Sequence, residues 1–141
     1  MAAIRLRSLW TVLAVTVVMG LAASLAGCAS IGPVTQVTVP DIKSVTGTWK
    51  GVVYRSGVEP ENVTMTIRED GTFDVVSADK VGASRGSGKI VIRDGRLILE
   101  GEHRGHGVAT LLKNPSGDLV MNVEGTLSDN STLSAKLWPQ R

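Results

Sequence analysis

Three features of this sequence predict a small all-β fold, an antiparallel up-and-down barrel or meander of about eight strands. From Val45 onward apolar and polar residues alternate in short runs. No window in that stretch sustains a 3.6-residue apolar period for three turns, so amphipathic helices find no support. Asp70-Gly71 and Asp94-Gly95 each sit between alternating runs, where both residues can take the positive φ of a type I′ hairpin turn.

The chain opens differently. Arg5 and Arg7 precede the apolar run Leu9 to Met19, and small residues then lead to Gly27. The run is short for a permanent span and is followed by Gly20 and Ser24. Leu25-Ala26-Gly27-Cys28 matches, position by position, a branched aliphatic residue, two small residues and a cysteine, and so resembles the signal ending of bacterial lipoproteins. That resemblance implies residues 1–27 as a signal peptide, cleavage before Cys28, a diacylglycerol thioether on its sulfur and a third acyl chain on its amine. Two chains meet the two-signal requirement for stable anchoring and a third exceeds it, at about 0.8 kcal/mol per buried methylene. Ala29 in place of an aspartate implies, by the same resemblance, the outer membrane, with the domain facing the periplasm.

Removal of residues 1–27 takes Arg5 and Arg7 with it and leaves thirteen basic against thirteen acidic side chains in 114 residues. The basic character of the precursor thus belongs to its leader. No concentrated Lys/Arg patch with interleaved aromatics remains, which argues against nucleic acid as a partner. Cys28 is the sole cysteine, so no intrachain disulfide can form, and packing and hydrogen bonding must hold a single domain of modest core.

Residues 28–44 read as a lipidated N-terminus and tether, interrupted by Gly32, Pro33 and Pro40, with Val34, Val37 and Val39 able to lie along the domain at 45–141. Strands are expected at Thr46 to Arg55, Asn62 to Glu69, Thr72 to Ser77 and Ser87 to Arg93. Four more follow at Arg96 to Gly101, Gly107 to Lys113, Asp118 to Glu124 and Ser131 to Trp138. The alternation assigns inward faces to Trp49 and Val53; Val63, Met65 and Ile67; Phe73 and Val75; Ile90 and Ile92. The second half contributes Leu97 and Leu99; Ala109 and Leu111; Leu119, Met121 and Val123; Leu133, Ala135 and Leu137. Asn114-Pro115-Ser116-Gly117 supplies a longer reversal, while glycine-rich Ser77 to Gly88 is too poor in apolar residues to pack and is expected as a mobile loop or frayed strand start.

A short meander leaves two unpaired edges unless it closes, which favours a barrel whose first and eighth strands meet. The many inward Leu, Ile and Met side chains make a largely self-filled interior the expectation, without a roomy ligand cup. Gly47-Thr48-Trp49 at the head of the first strand resembles the Gly-x-Trp opening of lipocalins, whose tryptophan plugs the closed end of an eight-stranded barrel. The resemblance implies that architecture over residues 46–138. The chain departs from it in its shorter domain, in lacking a Thr-Asp-Tyr stretch, and in placing Lys136 on the face opposite the inward set, so the family's late basic residue over the tryptophan is not carried over to it. Small periplasmic protease-inhibitor barrels share the overall pattern as well.

Chemistry-bearing clusters are few. Glu100, Glu102, His103 and His106 combine imidazole and carboxylate in a way that would suit zinc, but they fall in a glycine-rich reversal with nothing to fix them, so a solvated loop is expected and no metal site is assigned. No phosphate loop or nucleophilic cysteine is present, so no catalytic or cofactor-binding residues are assigned. Lipidation of Cys28 is the one modification site. Tyr54 and Trp138 face outward at the seam of the first and last strands, and the Val34 to Val39 segment is expected to cover them. The function these features favour is a non-enzymatic, membrane-anchored envelope lipoprotein that binds an envelope protein or serves structurally. A lipocalin-like carrier of a small apolar ligand, a protease-inhibitor-like barrel and a metal-dependent enzyme are the alternatives.

Overall fold

The computed structural model describes residues 33–79 and 82–141, with backbone only at 78–79 and 82–84. The expected signal peptide, the lipidation site Cys28 and the first tether residues lie outside the described residues. The strands are β1 (Thr35–Val37), β2 (Gly47–Arg55), β3 (Glu61–Ile67), β4 (Thr72–Asp79), β5 (Gly82–Arg93), β6 (Arg96–Gly101), β7 (His106–Lys113), β8 (Leu119–Thr126) and β9 (Thr132–Pro139). Each of β2 to β9 pairs antiparallel with the next, and β9 returns to β2 with Gly51 opposite Leu137 and Val53 opposite Ala135. Eight strands therefore close a barrel, and the edge problem of an open meander disappears.

The inward faces follow the sequence pattern. Trp49, Met65, Ile67, Leu97, Leu111, Met121 and Leu137 are buried, and Val53, Val75, Ile92, Leu119 and Leu133 pack half-buried against them. The period of two is kept because slipping any strand by one residue would expose its whole apolar set. Asp94 and Gly95 both take positive φ, 52° and 72°, as a two-residue type I′ turn requires. At the other Asp-Gly pair only Gly71 is left-handed, its N–H donates to the Arg68 carbonyl, and the Asp70 carboxylate accepts from the Thr72 N–H and hydroxyl. That turn is longer than the two-residue form expected, because the Asp70 side chain is engaged in holding the loop.

Of the stretch expected as a mobile loop or frayed strand start, residues 77–79 and 82–88 are strand instead: β4 and β5 stay in register out to Asp79 opposite Gly82. A ladder needs only backbone donors and acceptors, so the shortage of apolar side chains did not forbid it. Glycine is required within β5 for another reason. A Cβ on Gly88 would lie 2.2 Å from the Glu100 carbonyl oxygen and 2.8 Å from Phe73 Cε1, a close approach of neighbouring strands at a barrel bend.

One end of the barrel is sealed by the segment before β2. β1 takes over the edge of β7 that β6 vacates, with Val37 opposite Leu111, and the Val39 N–H then donates to the Gly95 carbonyl at 3.0 Å. A 3-10 turn at Ile42–Val45 follows, capped by Asp41, whose carboxylate accepts from the Ser44 N–H. Val39 and Val45 are each 1% exposed, so this segment contributes to the core rather than resting on it. It runs along β7 and across the β5–β6 turn and does not cover the seam aromatics as expected. Tyr54 and Trp138 remain 46% and 43% exposed on adjacent β2 and β9.

Candidate functional site

The opposite end of the barrel is open. A cavity of about 440 Å³ descends from the mouth into the barrel, bordered by all eight of its strands, with Met65, Phe73, Leu99 and Leu137 low in it and Val63, Val123, Leu133 and Ala135 on its walls. This corrects the expectation of a self-filled interior. The large inward residues cluster toward the sealed end, where Trp49, Ile67, Leu97 and Met121 are buried outside the cavity lining. Nearer the mouth the inward positions carry Gly86, Gly101, Gly107 and Gly125 and the small Ser77 and Ala135, so no large side chain enters from them; a Cβ on Gly86 would meet nothing within 4 Å, whereas on Gly107 and Gly125 it would meet backbone of the neighbouring strand at 2.9 and 3.0 Å. Counting apolar residues along the strands missed this; the glycines at the same alternating positions were the available signal.

Three polar side chains from adjacent strands meet on the cavity wall near its mouth. Arg55, the last residue of β2, and Glu61, the first of β3, form an ion pair in which the guanidinium donates to Glu61 Oε1. The other carboxylate oxygen, Oε2, accepts from the Ser77 hydroxyl on β4 at 2.5 Å. The Glu61 side chain is 10% exposed and that of Arg55 34%. The Ser77 hydrogen bond and, after it, the Arg55 guanidinium hold the Glu61 carboxyl below the usual carboxylate range, against the opposing effect of burial. Arg55 also lowers Asp129 in the β8–β9 loop, behind the larger effect of the hydrogen bonds from Ser131.

The histidines stay at the rim. His103 and His106 both line the mouth, and His106 lies across from Glu100 in the β6–β7 ladder. Glu102 accepts from the Ser87 hydroxyl at 2.7 Å, and its N–H donates to the Ser87 carbonyl. Among the described residues no three metal-ligating side chains converge, so Glu100, Glu102, His103 and His106 do not assemble into a ligand set. The arrangement presented by the cavity is a binding geometry: an apolar shaft, one charge-balanced pair with a hydroxyl, and an open entrance.

No protein-family model matches this chain, and no curated protein sequence matches it. Among solved structures, a redesigned β-barrel aligns with a TM-score of 0.52 over 73% of this chain and 97% of its own, at 18% identity. At that identity the likeness is one of fold alone, a β-barrel.

Proposed function

We propose that this protein is a non-enzymatic, lipid-anchored envelope protein that binds a small, mainly apolar ligand inside its barrel. The cavity carries this reading. Its volume of about 440 Å³ lies within the roughly 300–1,000 Å³ of small-molecule sites, and it combines apolar walls with few polar groups. Of the readings offered by the sequence, the lipocalin-like carrier is therefore preferred to the purely structural one. The lipoprotein-like ending at Leu25 to Cys28 supports a membrane partner through acylated Cys28 and an outer-membrane, periplasm-facing address.

The test is a titration with the uncharged apolar fluorophore N-phenyl-1-naphthylamine. Saturable one-site binding is expected, and Ala135→Phe, which places a ring in the cavity, should abolish it while the β-sheet circular dichroism is unchanged. Absence of saturable binding, or equal binding by the Ala135→Phe variant, contradicts the carrier reading.

The exposed aromatics favour a second reading. Tyr54 and Trp138 stand uncovered on adjacent strands, with Lys50 directly opposite Trp138, and such a face suits an envelope protein partner. A photo-crosslinking residue at position 138 should then capture one reproducible protein from native envelope; diffuse labelling would count against it.

A further inference from the structure

We propose that the cavity selects an uncharged single-chain amphiphile, with its tail in the apolar shaft and a head bearing both a donor and an acceptor, such as a hydroxyl or amide, at the Arg55–Glu61 pair. This deepens the carrier reading above and rests on it.

Charge balance at the mouth is the ground for it. The Glu61 carboxylate is nearly buried, and each of its oxygens already has one partner, Arg55 on Oε1 and Ser77 on Oε2. A carboxylate has about four lone-pair sites and a guanidinium five donors, so both groups keep hydrogen-bonding capacity after they have paired. What they no longer have is net charge to offer. An anionic head brought to Arg55 would sit beside Glu61, with Asp129 also in the field of that arginine. A cationic head brought to Glu61 would sit beside Arg55. Either ion would leave water for a site whose opposite charge is already satisfied, and the desolvation would go uncompensated. A hydroxyl or amide avoids that loss. It donates to the carboxylate in a charge-assisted bond and accepts from the guanidinium.

The tail length follows from the cavity. About 440 Å³ with Met65, Phe73 and Leu137 at its lower end accommodates one acyl chain or a compact ring system. Arg85 also borders the mouth, but from the outward register position opposite Val76, where its charge is exposed to solvent. Surrounding water and salt screen it.

The experiment is competition at neutral pH on the full chain, with equimolar 1-dodecanoylglycerol, dodecanoate and dodecylammonium, read as bound masses by native mass spectrometry. The wild type is expected to retain the glycerol ester in excess of both ions. Glu61→Gln, which releases the arginine charge, should shift the bound acid-to-ester ratio toward dodecanoate by at least about tenfold. Arg55→Gln should shift the amine-to-ester ratio toward dodecylammonium by a similar factor, so that a folding defect in one variant leaves the other informative. Preference of the wild type for dodecanoate or dodecylammonium overturns the proposal, as does an unchanged ratio in both variants. A shift of equal size on Arg85→Ala would put the head at the rim arginine and overturn it too. Failure to retain any of the three probes is a different result, which removes the carrier reading itself.

Discussion

The indole Nε1 of Trp49 donates to the carbonyl of Val45 at 2.9 Å, tying the first barrel strand to the 3-10 turn that seals its end. Both residues are buried, Trp49 at 3% and Val45 at 1% exposure, so the bond closes a seam from which water is excluded. Trp49→Phe keeps most of the apolar area but leaves the Val45 carbonyl without this partner, a loss of about 1–3 kcal/mol. Trp49→Ala adds a cavity and should cost about 3–5 kcal/mol. Denaturant midpoints for the two variants, read by circular dichroism, check both the sizes and their order.

Glycines in the barrel wall should divide by what stands behind them. A Cβ on Gly88 meets the Glu100 carbonyl oxygen at 2.2 Å, whereas one on Gly86 meets nothing within 4 Å. Gly88→Ala is expected to destabilise by about 1–3 kcal/mol, because backbone must move. Gly86→Ala, two residues away on the same strand, should be neutral or stabilising by about 0.5 kcal/mol, since glycine loses more conformational freedom on folding. Equal midpoints for the two variants would contradict the strand approach at Gly88.

The Glu61 network predicts an acid limb in stability. The folded carboxyl is held below its ordinary value, chiefly by Ser77 and then by Arg55, so the folded state binds its proton less readily than the unfolded state does. The stabilisation is therefore fully present above the unfolded glutamate value of about 4.3 and is lost as pH falls through the lower folded value. Asp70 and Asp129, lowered by Thr72 and Ser131, add to the same limb. Glu61→Gln should reduce stability at neutral pH and make the acid limb shallower, as followed by urea midpoints across that range.

Strand content and register were legible because alternation and a buried interior demand the same thing: the inward residues Val63, Met65, Ile67, Met121 and Val123 could not change faces without exposing the core. Arg96–Gly101 was bounded to the residue by the Asp94-Gly95 turn before it and the Glu102 to Gly105 reversal after it. The cavity was not legible, because it depends on inward positions without side chains, at Gly86, Gly101, Gly107 and Gly125, and on how closely the strands approach one another there. Nor was the Arg55–Glu61–Ser77 group. Its members are brought together by three adjacent strands, and Ser77 is sixteen residues from Glu61 in sequence. The seal by Val39 and Val45 was half legible: their apolar character was evident, but its destination depended on the edge of β7 left open beyond the end of β6.

In the lipoprotein reading proposed above, anchoring would rest on the sulfur of Cys28. Cys28→Ser should leave an uncleaved precursor without acyl mass, while the wild type should begin at Cys28 and carry its acyl chains, as measured by intact mass. Normal processing of the serine variant would remove the lipoprotein reading and leave the barrel unaffected.

The most direct measurement of what the barrel does is the native mass of the protein taken from its own envelope, with any bound molecule identified after organic extraction. One small apolar or amphiphilic ligand per chain is expected, held without a covalent bond and absent from Ala135→Phe. Protein that arrives with its cavity vacant in every preparation and takes up no apolar compound afterwards would contradict the carrier function.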